Sequence, residues 1–314
     1  MQDTEKAALQ RSSGVIALQT IVCAVALLWL VPGGARADDA GQDAISAAAL
    51  SARFAALGDA LTNNQFQRPL HLVSKEGADG VTGEILALIN APFAAVSGTL
   101  SKASLWCDIM ILHLNTKLCR PADDSRGTVL HVRIGKKHQQ PVNDAYRMDL
   151  VYRVPARTAK YLQVKLNAAE GPLTTRDYRI VLEAAPGENG QTLMRLSYAY
   201  SYGAVAEVAM RAYLATIGRN KVGFTVVGRQ ADNQPDFIGG MRGLVERNTM
   251  RYYMAIEAYL GALSALPVAR VEKSLRDWFA ATERYPRQLR ELGEEEYLEI
   301  KRNEYTRQHT EIRN

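Results

Sequence analysis

The residues of this 314-residue chain that most suggest a site are its tyrosines and methionines. Tyr198, Tyr200 and Tyr202 recur at every second position after Met194 and Leu196. Met148 and Tyr152 keep the same parity in an earlier run, and Tyr252, Tyr253, Met254 and Ile256 fall in a long amphipathic stretch. Tyrosine joins an apolar ring to a hydroxyl that needs a partner, and methionine adapts its shape to irregular space. A wall of both suits an apolar cavity with a few polar handles. On this reading Met148, Tyr152, Met194, Tyr198, Tyr200, Tyr252 and Ile256 line a site for an apolar or amphipathic small molecule, lipids included. The same pattern also fits a solid core or a half-exposed tyrosine ladder, and the residues alone leave both open.

Catalytic signatures are missing. The chain has no Gly-x-Ser-x-Gly, no phosphate loop, no His-Glu-x-x-His and no Cys-x-x-Cys. Its five histidines, His71, His113, His131, His138 and His309, are scattered. His113 and His131 could approach each other between helix and sheet, but without a carboxylate they read as polar or packed side chains. Glu294-Glu295-Glu296 reads as a solvated face and Asp123-Asp124 as a turn. No catalytic residue, metal ligand or cofactor is therefore expected. Thirty-eight Lys and Arg stand against 33 Asp and Glu, a net charge of +5. The two signs are mixed along the chain and nothing interleaves basic with aromatic residues, which argues against a nucleic-acid partner.

The first residues carry a compartment signal. Arg11 precedes an apolar run from Val15 to Val31, and Ala35-Arg36-Ala37 follows Pro32-Gly33-Gly34. These are the parts of a secretory leader with cleavage after Ala37, although the run is long enough to serve as an uncleaved anchor. Residues 1–37 are read as the leader and the protein as periplasmic or secreted. Cleavage removes Cys23 and leaves Cys107 and Cys119, an even pair in an oxidising compartment, which predicts a disulfide. Bridged cysteines need Cα atoms within about 7 Å. A strand from Cys107 to Asn115 would carry the chain about 26 Å at 3.3 Å per residue. A helix followed by a reversal at Asn115 returns Cys119 to its partner.

The elements that must position these residues follow from periodicity. Ala44–Leu61 reads as a helix and Thr82–Ile89 as a strand. Two short helices follow at 92–100 and 104–113. Strands are expected at 115–120, Thr128–Lys136, Tyr146–Val154, Tyr161–Ala168, Asp177–Ala184 and Thr192–Tyr202. Ala204–Ile217 reads as a helix, Lys221–Val227 as a short strand, and Gly239–Leu263 as a long helix with apolar residues three and four apart. From Val271 onward nine basic and ten acidic residues make a charged helical tail, its first part docked and its end solvated.

The order strand, two short helices, six strands, long helix resembles the helix-grip fold of the START-like superfamily. The stretch Gly83-Glu84-Ile85-Leu86-Ala87-Leu88-Ile89-Asn90-Ala91-Pro92 before the first short helix is part of that resemblance. It implies an α+β fold in which a curved antiparallel sheet of about seven strands wraps a long C-terminal helix. It also implies an apolar ligand held between the two. The chain divides accordingly into the leader, an N-terminal helical segment at 38–69, the helix-grip-like domain at 70–264 and the charged tail at 265–314. The rival reading is a cell-envelope scaffold with a solid core whose tail binds a protein partner.

Overall fold

The computed structural model describes residues 35–204, 208 and 221–310. The expected leader lies outside these residues except for its last three, and so does nearly all of the helix expected at 204–217. Helix α1 (Ala35–Leu57) leads through a 3-10 turn at Gly58–Leu61 and a loop to β1 (Leu70–Glu76) and β2 (Gly80–Ile89). Helices α2 (Phe93–Leu100) and α3 (Ala103–Met110) follow. Then come β3 (Thr116–Asp124), β4 (Gly127–Ile134), β5 (Tyr146–Arg157), β6 (Leu162–Glu170), β7 (Thr175–Pro186) and β8 (Thr192–Tyr202). A small hairpin, β9 (Val226–Arg229) and β10 (Pro235–Phe237), precedes the long helix α4 (Gly240–Ala262). Helices α5 (Pro267–Glu283), α6 (Pro286–Leu289) and α7 (Glu294–Thr310) complete the described chain.

Eight strands form one antiparallel sheet in the order β1-β2-β8-β7-β6-β5-β4-β3. The alternation of buried and exposed residues gives it two chemically distinct faces. Register shifts between Arg153 and Ala156 and between Arg176 and Arg179 bend it, as bulges do. The result is the α+β helix-grip arrangement, with one strand more than the sequence predicts. The unforeseen strand is β1. Its inner face reads Leu70, Leu72, Ser74, and the buried Ser74 interrupts the apolar alternation. That hydroxyl donates to Glu246 Oε1 on α4 at 2.5 Å. Glu246 also accepts the backbone N–H groups of Phe224 and Thr225, at 2.6 and 2.9 Å. Those contacts hold the chain before β9 as a loop, so the strand expected at Lys221–Val227 begins only at Val226.

Helix α4 lies on the inner face, chiefly against β1, β2 and β8. The contact is close because Gly83 has no side chain. A Cβ there would come within 2.3 Å of Thr249 Oγ1 and 3.3 Å of the Val245 carbonyl. On the outer face α1 packs against β7 and β8, placing Leu50 and Phe54 over Leu86 and Ala185. Arg53 of α1 pairs with Glu84 there. The sheet is thus clamped between α1 and α4 on one side of its width.

The predicted disulfide joins Cys107 to Cys119, with Cα atoms 5.0 Å apart. Helix α3 ends at Met110, three residues earlier than expected, and turns return the chain to β3. The end of the tail differs from the solvated helix that its charges suggest. Tyr297, Leu298, Ile300, Lys301, Glu304 and Gln308 of α7 are all buried. The physical reason is that β3 is an edge strand, whose free backbone groups need partners. Gln308 Oε1 accepts the Cys119 N–H at 2.9 Å, and Arg307 donates to the Lys117 carbonyl at 3.0 Å. Lys301 Nζ donates to the carbonyls of His113 and Thr116 and to Glu304. Lys117 Nζ donates to the carbonyls of Leu114 and His138 and to the same carboxylate. Both ammonium groups therefore use all three protons.

Gly83→Ala is expected to destabilise the protein by about 1–3 kcal/mol, the usual cost of overpacking. The double variant Gly83→Ala/Thr249→Ala should recover part of that loss, because it removes the closest clashing atom. Denaturant melts of the four proteins in the cycle check this; strictly additive losses would contradict the contact.

Candidate ligand cavity

Because α4 rests on β1, β2 and β8, it stands off from the middle of the sheet. A cavity of about 950 Å³ opens there, between α4 and strands β4, β5, β7 and β8, with the α3–β3 connection along one side. Its deep wall is aromatic. Tyr178 and Tyr200 stack with ring centres 5.2 Å apart. Tyr198 lies 5.4 Å from Tyr252 of α4, and Tyr252 stacks on His113 at 4.8 Å. Met148, Leu150 and Ile180 add apolar surface. Leu173, 70% exposed, also lines the cavity and marks a side open to solvent. Leu173 and its neighbour Thr174 have φ of +58° and +61°, a left-handed conformation that non-glycine residues seldom adopt.

Four of the residues singled out in the sequence, Met148, Tyr198, Tyr200 and Tyr252, come together in this wall. Three others lie elsewhere. Tyr152 is turned toward α2, where its hydroxyl donates to the Leu100 carbonyl at 3.0 Å. Met194 is fully buried in the ladder between Ala87 and Ala184. Ile256, one turn beyond Tyr252, is packed in the core. Alternation places these side chains on the correct face but does not give their depth, which depends on the helices above. Tyr178 and His113 are additional lining residues. Tyr178 shares the parity of Ile180 on β7 and is brought beside Tyr198 and Tyr200 only by the β7–β8 register. His113 does not meet His131. The latter sits on the other face of β4, 2.8 Å from Asp149.

Two buried polar atoms of the wall have no hydrogen-bond partner among the described residues, the Tyr200 hydroxyl and His113 Nε2. The state of His113 follows from its other nitrogen. Nδ1 accepts the backbone N–H of Asn115 at 3.1 Å. A backbone N–H can only donate, so Nδ1 carries a lone pair, and the proton of the neutral ring is on Nε2. Burial, followed by the charges of Arg251 and Lys301, holds this imidazole well below its usual pKa, and so neutral. The wall thus offers one free N–H and one free hydroxyl. Burial pushes the Tyr178 hydroxyl up to about 12, which keeps it protonated.

A charged cluster lies at one edge. Glu291 Oε1 meets Lys137 at 2.5 Å and Arg251 at 2.9 Å, and Oε2 meets Lys221 at 2.9 Å. Its burial opposes ionisation, but these three cations hold the carboxyl down to about 2. Lys137 is pushed down to about 8, first by burial and then by Arg251. Among the described residues no group of three His, Cys, Asp or Glu side chains is placed to hold a metal ion. No described helix is long and apolar enough to cross a membrane.

No protein-family model matches the chain, and no curated protein matches it. Among solved structures it is similar to a conserved protein from Geobacillus kaustophilus, at 9% identity and a TM-score of 0.34, over 57% of this chain and 95% of that one. It is similar to norcoclaurine synthase from Thalictrum flavum, at 12% identity and a TM-score of 0.31, over 47% and 77%. Human StAR-related lipid transfer protein 5 aligns at 7% identity and a TM-score of 0.29, over 56% and 90%. At these scores the likeness carries no argument about function. The helix-grip description stands on the strand order and helix of this chain.

Tyr200→Phe removes a buried hydroxyl without a partner, so the ligand-free protein should be as stable as wild type, or about 1 kcal/mol more stable. Tyr152→Phe removes a made hydrogen bond and should cost about 1 kcal/mol. Denaturant melts side by side distinguish the two hydroxyls. Glu291 gives a pH test. Its pKa is lowered on folding, so its contribution is present above its unfolded value of 4.5 and is lost as pH falls toward about 2. The full contribution is about 3 kcal/mol at 1.36 kcal/mol per pKa unit. Glu291→Gln should therefore lower stability at pH 7 but cost little near pH 2.5. An equal loss at both values would contradict the cluster.

Proposed function

We propose that this is an exported, non-catalytic protein that binds an apolar or amphipathic small molecule, lipids included, in the cavity between α4 and the sheet. The observation that carries the reading is the cavity itself. Its volume is near the top of the range for small-molecule sites, and its aromatic and apolar deep wall is joined by polar and charged side chains such as Lys137, Lys221 and Glu291. Two buried polar atoms of the wall are left for a guest to satisfy. A buried polar atom without a partner costs about 1–3 kcal/mol, which a ligand bearing an oxygen would recover on binding. The solid-core scaffold reading gains nothing from such a space. Its second element, a tail free to bind a partner, conflicts with the burial of α7 on this chain's own edge strand. Export is supported by the leader pattern at residues 1–37, and the bridge between Cys107 and Cys119 suits an oxidising compartment.

Native mass spectrometry of protein purified from its own cell envelope tests both parts. The expected spectrum has a polypeptide mass that starts at Asp38, with an additional noncovalent mass that is lost on activation. A chain retaining Met1 would overturn cleavage. A bare polypeptide, together with failure to take up a neutral fluorescent dye, would overturn ligand binding.

A further inference from the structure

The cavity is not electrically neutral. At the edge formed by the loop after β4, residue 221 and the segment after α6, three cations share one carboxylate. Lys137, Lys221 and Arg251 all contact Glu291, which leaves two positive charges in excess within the cluster. Arg251 is 2% exposed at its side chain and cannot reach solvent, whereas both lysines are 31% exposed and line the cavity. The free Nε2–H of His113 belongs to the same region. Asn115, which fixes the His113 tautomer, donates its side-chain amide to the Gly135 carbonyl at 2.6 Å, two residues before Lys137. His113 is itself held neutral by burial and by the surrounding charges of Arg251, Lys301, Lys137 and Lys117. His113 is a buried proton donor in the field of Arg251 and Lys137. Lys136 and Asp144 also line the cavity and offset each other, so among the described residues the balance with Lys137, Lys221, Arg251 and Glu291 stays positive and favours negative charge. Met148, Leu150 and Ile180 supply uncharged apolar lining to the same cavity.

We infer that the ligand is an anionic amphiphile, with an oxyanion head, carboxylate or phosphate monoester, at Lys137, Lys221 and His113, and with its hydrocarbon chain directed toward Met148 and Ile180. This rests on the ligand-binding reading above and narrows its ligand class. The head would share Lys137 and Lys221 with Glu291 and accept the His113 Nε2–H. A neutral head would leave the charge excess unused. A cationic head would face like charges.

The test uses the folded protein loaded with the neutral dye N-phenyl-1-naphthylamine, displaced by amphiphiles of one chain length. Dodecanoate and dodecyl phosphate should displace it at concentrations at least about tenfold lower than dodecanol, since charge-assisted hydrogen bonds are stronger than neutral ones. Dodecylamine should be the weakest competitor, and inorganic phosphate alone should displace nothing, which separates a lipid head from a free anion. In Lys137→Gln/Lys221→Gln the preference for acid over alcohol should shrink to less than about threefold. Equal displacement by acid and alcohol in wild type would overturn the inference while leaving the binding reading intact, as would an unchanged preference in the double variant. Displacement by phosphate alone would replace it with a free-anion site. Should the double variant fail to hold the dye, the wild-type ratio decides. No dye uptake by wild type would overturn the binding reading itself.

Discussion

The position of helix α4 depends on one close approach. Gly83 lets the helix backbone and Thr249 settle directly onto β2, at a distance that an added Cβ would force apart. A straight helix pressed onto one side of a bent sheet must stand away from the other side. The space it leaves is the cavity, and the aromatic residues of β7, β8 and α4 line that wedge. Outside the sheet, α1 presses the same strands from behind, with Leu50 and Phe54 over Leu86 and Ala185. The clamp keeps the contact at Gly83 from relaxing into the empty side. The position of the helix and the space beside it thus depend on this contact.

The far edge of the sheet is held by different physics. There β3 has no neighbouring strand, and α7 supplies side-chain donors and acceptors in its place. Two lysines and one glutamate are buried together, an arrangement that is costly unless every polar group is paired. Here the six ammonium protons find three kinds of partner: a carboxylate, the carbonyls of the α3–β3 connection and that of His138. Those contacts fix the connection that carries His113 into the cavity wall. The disulfide acts on the same stretch, tying α3 to β3. A polar edge and a covalent tie together position His113 in the aromatic wall.

Much of this was legible in the sequence, for definite reasons. Period-two alternation in Tyr146–Val154 and Thr192–Tyr202 marks strands with one buried face. The spacing of Cys107 and Cys119 favours a helix followed by a strand if the two are bridged. The regular spacing of Met241, Val245, Tyr252 and Ile256 marks the long helix. Depth was not legible. Met148 and Tyr152 share a strand and a face, yet only the first meets the cavity, because α2 lies over the second. Partners distant in sequence were not legible either. Glu291 looks like one more charge in a charged tail until the fold sets it against Lys137, Lys221 and Arg251. Strand β1 escaped notice because Ser74, polar and buried, answers to Glu246 on a helix more than 170 residues away.

An amphiphile bound in the wedge between α4 and the sheet can be located directly. The most direct measurement is a crystal structure of the protein soaked with a fatty acid brominated at its chain terminus, read by anomalous scattering at the bromine edge. One strong bromine peak is expected among Met148, Leu150 and Ile180, with the carboxylate beside Lys137 and Lys221. Side chains closing over that space, or bromine found only on the protein surface, would contradict that expectation.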